Sequence, residues 1–207
     1  MLPHKCLFWD SEGVGLNVYK GAIATWLAWL SVDTQTGETS QAFVRATQKN
    51  AEHLRSLMEE HDAVVAHNIK HDAKLMKHQF HMELPWFKCH DTLIQARLAY
   101  DQEPSLSLLG LSISKLGYNG AADLKVLDWA RVHKVKGNYD LIPQTVLEPY
   151  TMRQLANTAC LFARYHDHLL KTMPELYRIE QAIPEVLLSM EDRGILISEF
   201  RANKARK

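Results

Sequence analysis

The stretch Lys5 to Leu16, K-C-L-F-W-D-S-E-G-V-G-L, constrains this chain more than any other. The apolar run Cys6-Leu7-Phe8-Trp9 reads as a buried strand that stops at Asp10, and a second carboxylate, Glu12, follows two residues later. Residues i and i+2 of an extended chain project to one face, so Asp10 and Glu12 point the same way from the end of a central strand. Two anions held that close repel unless a proton or a cation stands between them. At neutral pH a hard divalent ion with oxygen ligands, Mg²⁺ or Mn²⁺, resolves the conflict. The D-x-E pattern is also common on solvated loops, so the rest of the chain must decide between the two.

A chain of 207 residues can bury a full core, and one domain is the default. Lys plus Arg equal Asp plus Glu at 24 each, so no general basic field exists for nucleic acid. Binding to a polyanion therefore needs metals or a local basic patch. Cys6, Cys89 and Cys160 lie far apart without a C-x-x-C, which reads as buried thiols in a reducing cytoplasm. The residues before the first strand are too few for a signal peptide, and the longest apolar run, Ala22 to Leu30, is too short to span a bilayer. No membrane partner is expected.

In chain order, Gly13, Gly15 and Gly21 mark a turn, and Ala22 to Asp33 is a strand covered on both faces. Thr36-Gly37 signals a hairpin, with Gln41 to Arg45 returning antiparallel. Thr47 caps a helix over 51–60. Asp62 to His67 is a short buried strand, and a helix follows from Ile69 to about Met82. Phe87 to His90 is a short fifth strand. Asp91 or Thr92 then caps a helix reaching Tyr100, and Ser105 or Ser107 opens another that Gly117 closes. Asp123 to Val135 is helical and ends in a basic run, Arg131, His133, Lys134 and Lys136. Pro143 and Pro149 start successive helices, and Pro174 starts one interrupted at Pro184 and ended by Arg193-Gly194. Ser198 caps a last helix. The expected fold is α/β: a mixed sheet of about five strands, the first three antiparallel, flanked by helices.

After the short strand, Ala66-His67-Asn68-Ile69-Lys70-His71-Asp72 places a carboxylate in the first turn of a helix. Dipole stabilisation alone would account for such an acid. Far downstream, Tyr150, Gln154 and Thr158 fall four apart on one helix face. D-S-E at a strand end, A-H-N-x-x-x-D after the next buried strand, D-T-L at 91–93 and I-P-x-x-V-L-x-P-Y-x-x-x-x-x-x-x-T occur in that order. Together they resemble the 3′–5′ proofreading exonuclease domain of family A DNA polymerases, the DEDDy branch of the DnaQ-like, RNase H-like exonucleases.

The resemblance covers most of the chain. It implies an exonuclease-like domain over 1–173 and, from 174 to 207, the start of a polymerase thumb, the chain being the front of a longer polymerase. It implies two Mg²⁺ or Mn²⁺ ions, with Asp10 bridging both, Glu12 helping to hold the ion that activates water, and Asp72 holding the second. Tyr150 would orient the attacking water, Asn68 would position the substrate backbone, and Leu16 would be an apolar wedge against the terminal bases. The implied partners are the 3′ end of single-stranded DNA and a polymerase domain in cis, in the cytoplasm of a bacterial cell or phage-infected host. The chain departs from the family at one place. The pattern Y-x-x-x-D has Gln154 where the Asp belongs. An amide oxygen can ligate Mg²⁺ but removes one negative charge. Two outcomes follow: an attenuated exonuclease, or an inactive exonuclease-like domain kept for single-strand binding or architecture.

Overall fold

A computed structural model describes residues 2–100, 102–135, 137–198, 201, 203 and 204. Lys5–Val14 (β1), Ile23–Asp33 (β2) and Thr39–Arg45 (β3) form an antiparallel meander. Ala63–Ala66 (β4) pairs with the other edge of β1 in parallel, and Cys89–Asp91 (β5) pairs in parallel with β4. The order is β3-β2-β1-β4-β5, with β1 in the centre. The helices are Gln48–Glu60 (α1), Ile69–Phe80 (α2), Thr92–Ala99 (α3), Leu108–Leu116 (α4), Ala121–Val132 (α5), Gln144–Thr172 (α6) and Pro174–Arg193 (α7). This is the mixed α/β, RNase H-like arrangement that the sequence led us to expect.

The strand period of two explains how β1 serves two cores. Leu7 and Trp9 enter a cluster with α1 and α2, whereas Cys6 and Phe8 enter one with α5 and α6. Trp9, Trp26 and Trp29 are core residues. A third cluster joins α3, α4, α6 and Tyr177 of α7. Caps match their sequence signals: Thr47 accepts from the Asn50 N–H at 3.3 Å, Ser107 caps α4, and Gly117 ends it at φ 70°.

Four local expectations need correction. β1 does not stop at Asp10; it continues through Glu12 to Val14, because β2 runs on beside it and supplies ladder partners. Pro149 does not start a helix; it lies inside α6. The first turn of α6 is already closed by bonds from Val146 and Leu147 N–H to Pro143 O at 2.8 and 3.0 Å, so Pro149 forfeits only one further bond. The buried stripe Leu147, Thr151, Leu155, Thr158 and Phe162 runs straight past it and holds the helix together. Pro184 likewise lies within a continuous α7, which ends before Gly194. Cys160 is exposed, unlike buried Cys6 and Cys89. Lys136, the last member of the basic run, lies outside the described residues. Among the described residues no helix is long and apolar enough to cross a membrane.

Candidate active site

Asp10, Ser11 and Glu12 stand within the central strand opposite Ala28, Leu27 and Trp26. The ladder shifts register between Glu12 and Gly13. A Cβ at Gly13 would sit 2.0 Å from the Ile23 carbonyl oxygen, so this bulge accepts only glycine. Glu12 is the last side chain before the kink and is almost fully buried.

Asp72 reaches the same place from the next parallel strand. After β4 the chain turns at Asn68, whose φ of 63° puts it in the left-handed region, and enters α2. The Asp91 carboxylate fixes this turn from the end of β5. It accepts from Asn68 N–H at 2.8 Å, Ile69 N–H at 3.0 Å and Leu93 N–H at 2.9 Å, holding the starts of two helices at once. Asp72 is 3% exposed in the first turn of α2. Its Oδ1 accepts from Ser11 N–H at 3.2 Å and from the Ser11 hydroxyl. The same N–H donates to Asp10 Oδ1 at 2.9 Å. Two carboxylates 62 positions apart therefore share one donor.

α6 closes the site from the other face. The Thr151 hydroxyl lies 3.1 Å from Glu12 Oε1 and 3.1 Å from its own helix carbonyl, Leu147 O. Tyr150, the preceding residue, feels the Glu12 charge, and Tyr139 hydrogen-bonds with Tyr150 while feeling both Glu12 and Asp10.

The electrostatics follow from burial. Burial, then the Asp72 charge, raises the Asp10 pKa well above the carboxylate range, against the Ser11 N–H bond. Burial and then Asp10 do the same to Glu12. Burial lifts Asp72 to about 7, with the Ser11 bonds pulling the other way. Burial first, then Glu12, pushes the Tyr150 phenol far above its ordinary value, so at neutral pH it is a neutral hydroxyl that donates or accepts a hydrogen bond.

The donor set fits a hard divalent cation in kind and charge: carboxylate oxygens that repel one another and that burial disfavours as anions. It is not closed as it stands. Among the described residues no three acidic, histidine or cysteine side chains stand in an arrangement that could hold one ion. The nearest polar partners of Asp72 and Glu12 are the Ser11 and Thr151 hydroxyls instead.

Asp10, Glu12, Asp72 and Tyr150 thus come together. Gln154 lies one turn beyond Tyr150 and is half-buried, but the contact that α6 makes to the acids comes from Thr151. Asn68 is exposed at the entrance to α2, and Leu16 is 85% exposed on the loop after β1. Sequence reasoning missed Ser11, Thr151 and Tyr139, and read Asp91 as one of two candidate caps and the start of D-T-L without its bonds to Asn68 and Ile69. Ser11 between the two acids and Thr151 beside Tyr150 were in view, yet a hydroxyl carries no signal until its acceptor is placed.

The fold is one used by nucleases. Similar solved structures include Brucella melitensis NrnC with bound Mg²⁺, at a TM-score of 0.63 and 16% identity over 94% of this chain and 90% of that one. Another is the apo form of a nuclease, at 0.62 and 14% over 94% and 89%. A further structure of Brucella melitensis NrnC matches at 0.61 and 15% over 94% and 90%. No protein-family model and no curated protein matches the sequence.

Proposed function

We propose that the chain is a metal-dependent 3′–5′ exonuclease acting on single-stranded DNA, of the DEDDy type, from the proofreading part of a DNA polymerase. The observation that carries the reading is the shared Ser11 donor, which ties Asp10 to Asp72 beside the buried Glu12. The nuclease fold of the similar structures supports it, as does the Mg²⁺ in one of them. Asp10, Glu12 and Asp72 would hold Mg²⁺ or Mn²⁺, two ions in the family pattern, with the Gln154 amide in place of a fourth acid. Bound divalent ions supply Lewis-acid activation of water and charge stabilisation at the phosphodiester.

The residues of the chain do the rest. Water oxygen attacks the terminal phosphorus in line, the P–O3′ bond breaks, and a 5′-mononucleotide leaves a strand with a new 3′-hydroxyl. Tyr150, kept as a phenol by burial and the Glu12 charge, orients the attacking water. Thr151 keeps Glu12 pointed into the site, and Ser11 does so for Asp72. Asn68 would meet the substrate backbone and Leu16 the terminal bases. The segment from 174 would open a polymerase thumb, and the setting would be cytoplasmic.

A second reading is favoured by Gln154 and by the absence, among the described residues, of a closed ligand group. In it the domain binds single strands or serves the architecture of a polymerase with little hydrolysis. One experiment separates the two. Incubate the chain with 5′-labelled single-stranded DNA, or RNA, and Mg²⁺ or Mn²⁺. A ladder shortening from the 3′ end, lost in Asp10→Ala, supports the exonuclease; retained binding without shortening supports the second reading.

A further inference from the structure

A cleft of about 570 Å³ opens beside Tyr150, between α5 with the turn before it and the first half of α6. Tyr118, Trp129 and Tyr150 supply aromatic surface to it, while Lys125 and Arg153 bring cations from different elements. No acidic side chain lines it among the described residues. In a chain of zero net charge this is a local concentration of positive charge with π-faces. Trp129 stacks on His133 with ring centroids 4.0 Å apart, which fixes the indole in the wall. The Arg153 guanidinium lies 6.0 Å from the Tyr118 ring centre. Single strands are held by this pairing, stacking on aromatic rings with cations along the backbone. The volume is that of a small-ligand site, large enough for a nucleotide.

We propose that this cleft is a nucleotide-binding subsite of the nucleic-acid reading above. Trp129 and Tyr118 receive a base, and Lys125 and Arg153 receive phosphate. Tyr150 belongs to both the cleft and the acidic site, so a nucleotide seated here places the adjoining phosphodiester next to Glu12.

The test is the fluorescence anisotropy of a labelled eight-nucleotide thymidine strand with the full chain in EDTA, where hydrolysis plays no part. Lys125→Ala/Arg153→Ala is expected to weaken binding at least tenfold. It should also flatten the plot of log affinity against log salt by about 1.4, at roughly 0.7 per phosphate contact. Trp129→Leu should weaken binding about tenfold. Arg153→Lys should keep most of the affinity, and Lys49→Ala/Lys171→Ala, exposed and away from the cleft, should keep all of it. Thymidine monophosphate that displaces the strand from the wild type identifies a free nucleotide as a second occupant; failure to displace assigns the cleft to the strand alone. Wild-type affinity and slope in the Lys125/Arg153 double variant, with an unchanged melting curve, overturn the proposal. So does a wild type that binds no strand. Binding that depends on this pair in a chain that hydrolyses nothing sinks the exonuclease and leaves the subsite. Hydrolysis with an unchanged KM in the double variant sinks the subsite alone.

Discussion

Asp72→Asn should stabilise the metal-free protein, increasingly as pH rises from about 4 to 7 and fully above that. Burial raises the Asp72 pKa from 3.8 to about 7. Between those values the native state holds a proton that the unfolded chain has released, so stability falls as pH rises, and the full penalty is present above pH 7. At 1.36 kcal/mol per tenfold, that penalty is about 4 kcal/mol. Asn has the same shape and still accepts from Ser11, and the charge assistance of those bonds is already inside the net shift. It also lifts the Asp72 repulsion from Asp10. The gain is at most about 4 kcal/mol, or up to ~8–16 °C in Tm for a chain of this length. Melting in EDTA at pH 5, 6.5 and 8 should show the variant's lead smallest at pH 5, where native Asp72 still holds its proton, and largest at pH 8. Mn²⁺ should raise the wild-type Tm at pH 8 and leave the variant where it was. A variant that melts lower than wild type at pH 8, or a gap that ignores pH, refutes the reasoning.

Thr151→Val keeps the volume and strips Glu12 Oε1 of its donor, so urea unfolding should show a loss of about 1–3 kcal/mol at pH 8. Any hydrolysis rate should fall by about tenfold or more, as for a misdirected ligand. Asp91→Ala orphans Asn68, Ile69 and Leu93 N–H at the starts of α2 and α3; it should cost about 2–4 kcal/mol by the same assay, with Asp91→Asn milder. Gln154→Asp should raise the rate of strand shortening in Mg²⁺ while lowering Tm in EDTA at pH 8. An unchanged rate would mean that position 154 does not meet the cation.

The parts of the fold read correctly from sequence are those set by local periodicity. The runs around Cys6–Trp9, Ala22–Asp33 and Val64–Ala66 could only be strands with both faces covered, and the caps at Thr47, Ser107 and Gly117 act within one turn of themselves. What failed depended on a neighbour. β1 runs through Asp10 and Glu12 because β2 supplies ladder partners as far as Val14, whereas two acids in a row of three look like an exit to solvent. Pro149 looked like a boundary because the apolar stripe that overrides it lies on a face visible only once the sheet is beneath it. On α6 the half-buried Tyr150 and Gln154 flank the fully buried line Leu147, Thr151, Leu155 and Thr158, and it is the Thr151 hydroxyl of that line that meets Glu12.

That placement gives Gln154 a physical sense. Burial raises Asp10, Glu12 and Asp72 together, with the Asp72 charge adding at Asp10, the Asp10 charge at Glu12 and the Asp91 charge at Asp72, and hydroxyl or N–H donors oppose these shifts. A fourth carboxylate one turn past Tyr150 would add to the repulsion that the metal-free fold must contain, and would be relieved only when cations arrive. A neutral amide there lowers the cation affinity and raises the stability of the metal-free state. The two effects must move together, so Gln154→Asp should strengthen Mn²⁺-dependent stabilisation by at least as much as it weakens the protein in EDTA. A variant that loses stability in EDTA and recovers none with Mn²⁺ would show that the three acids do not share a cation.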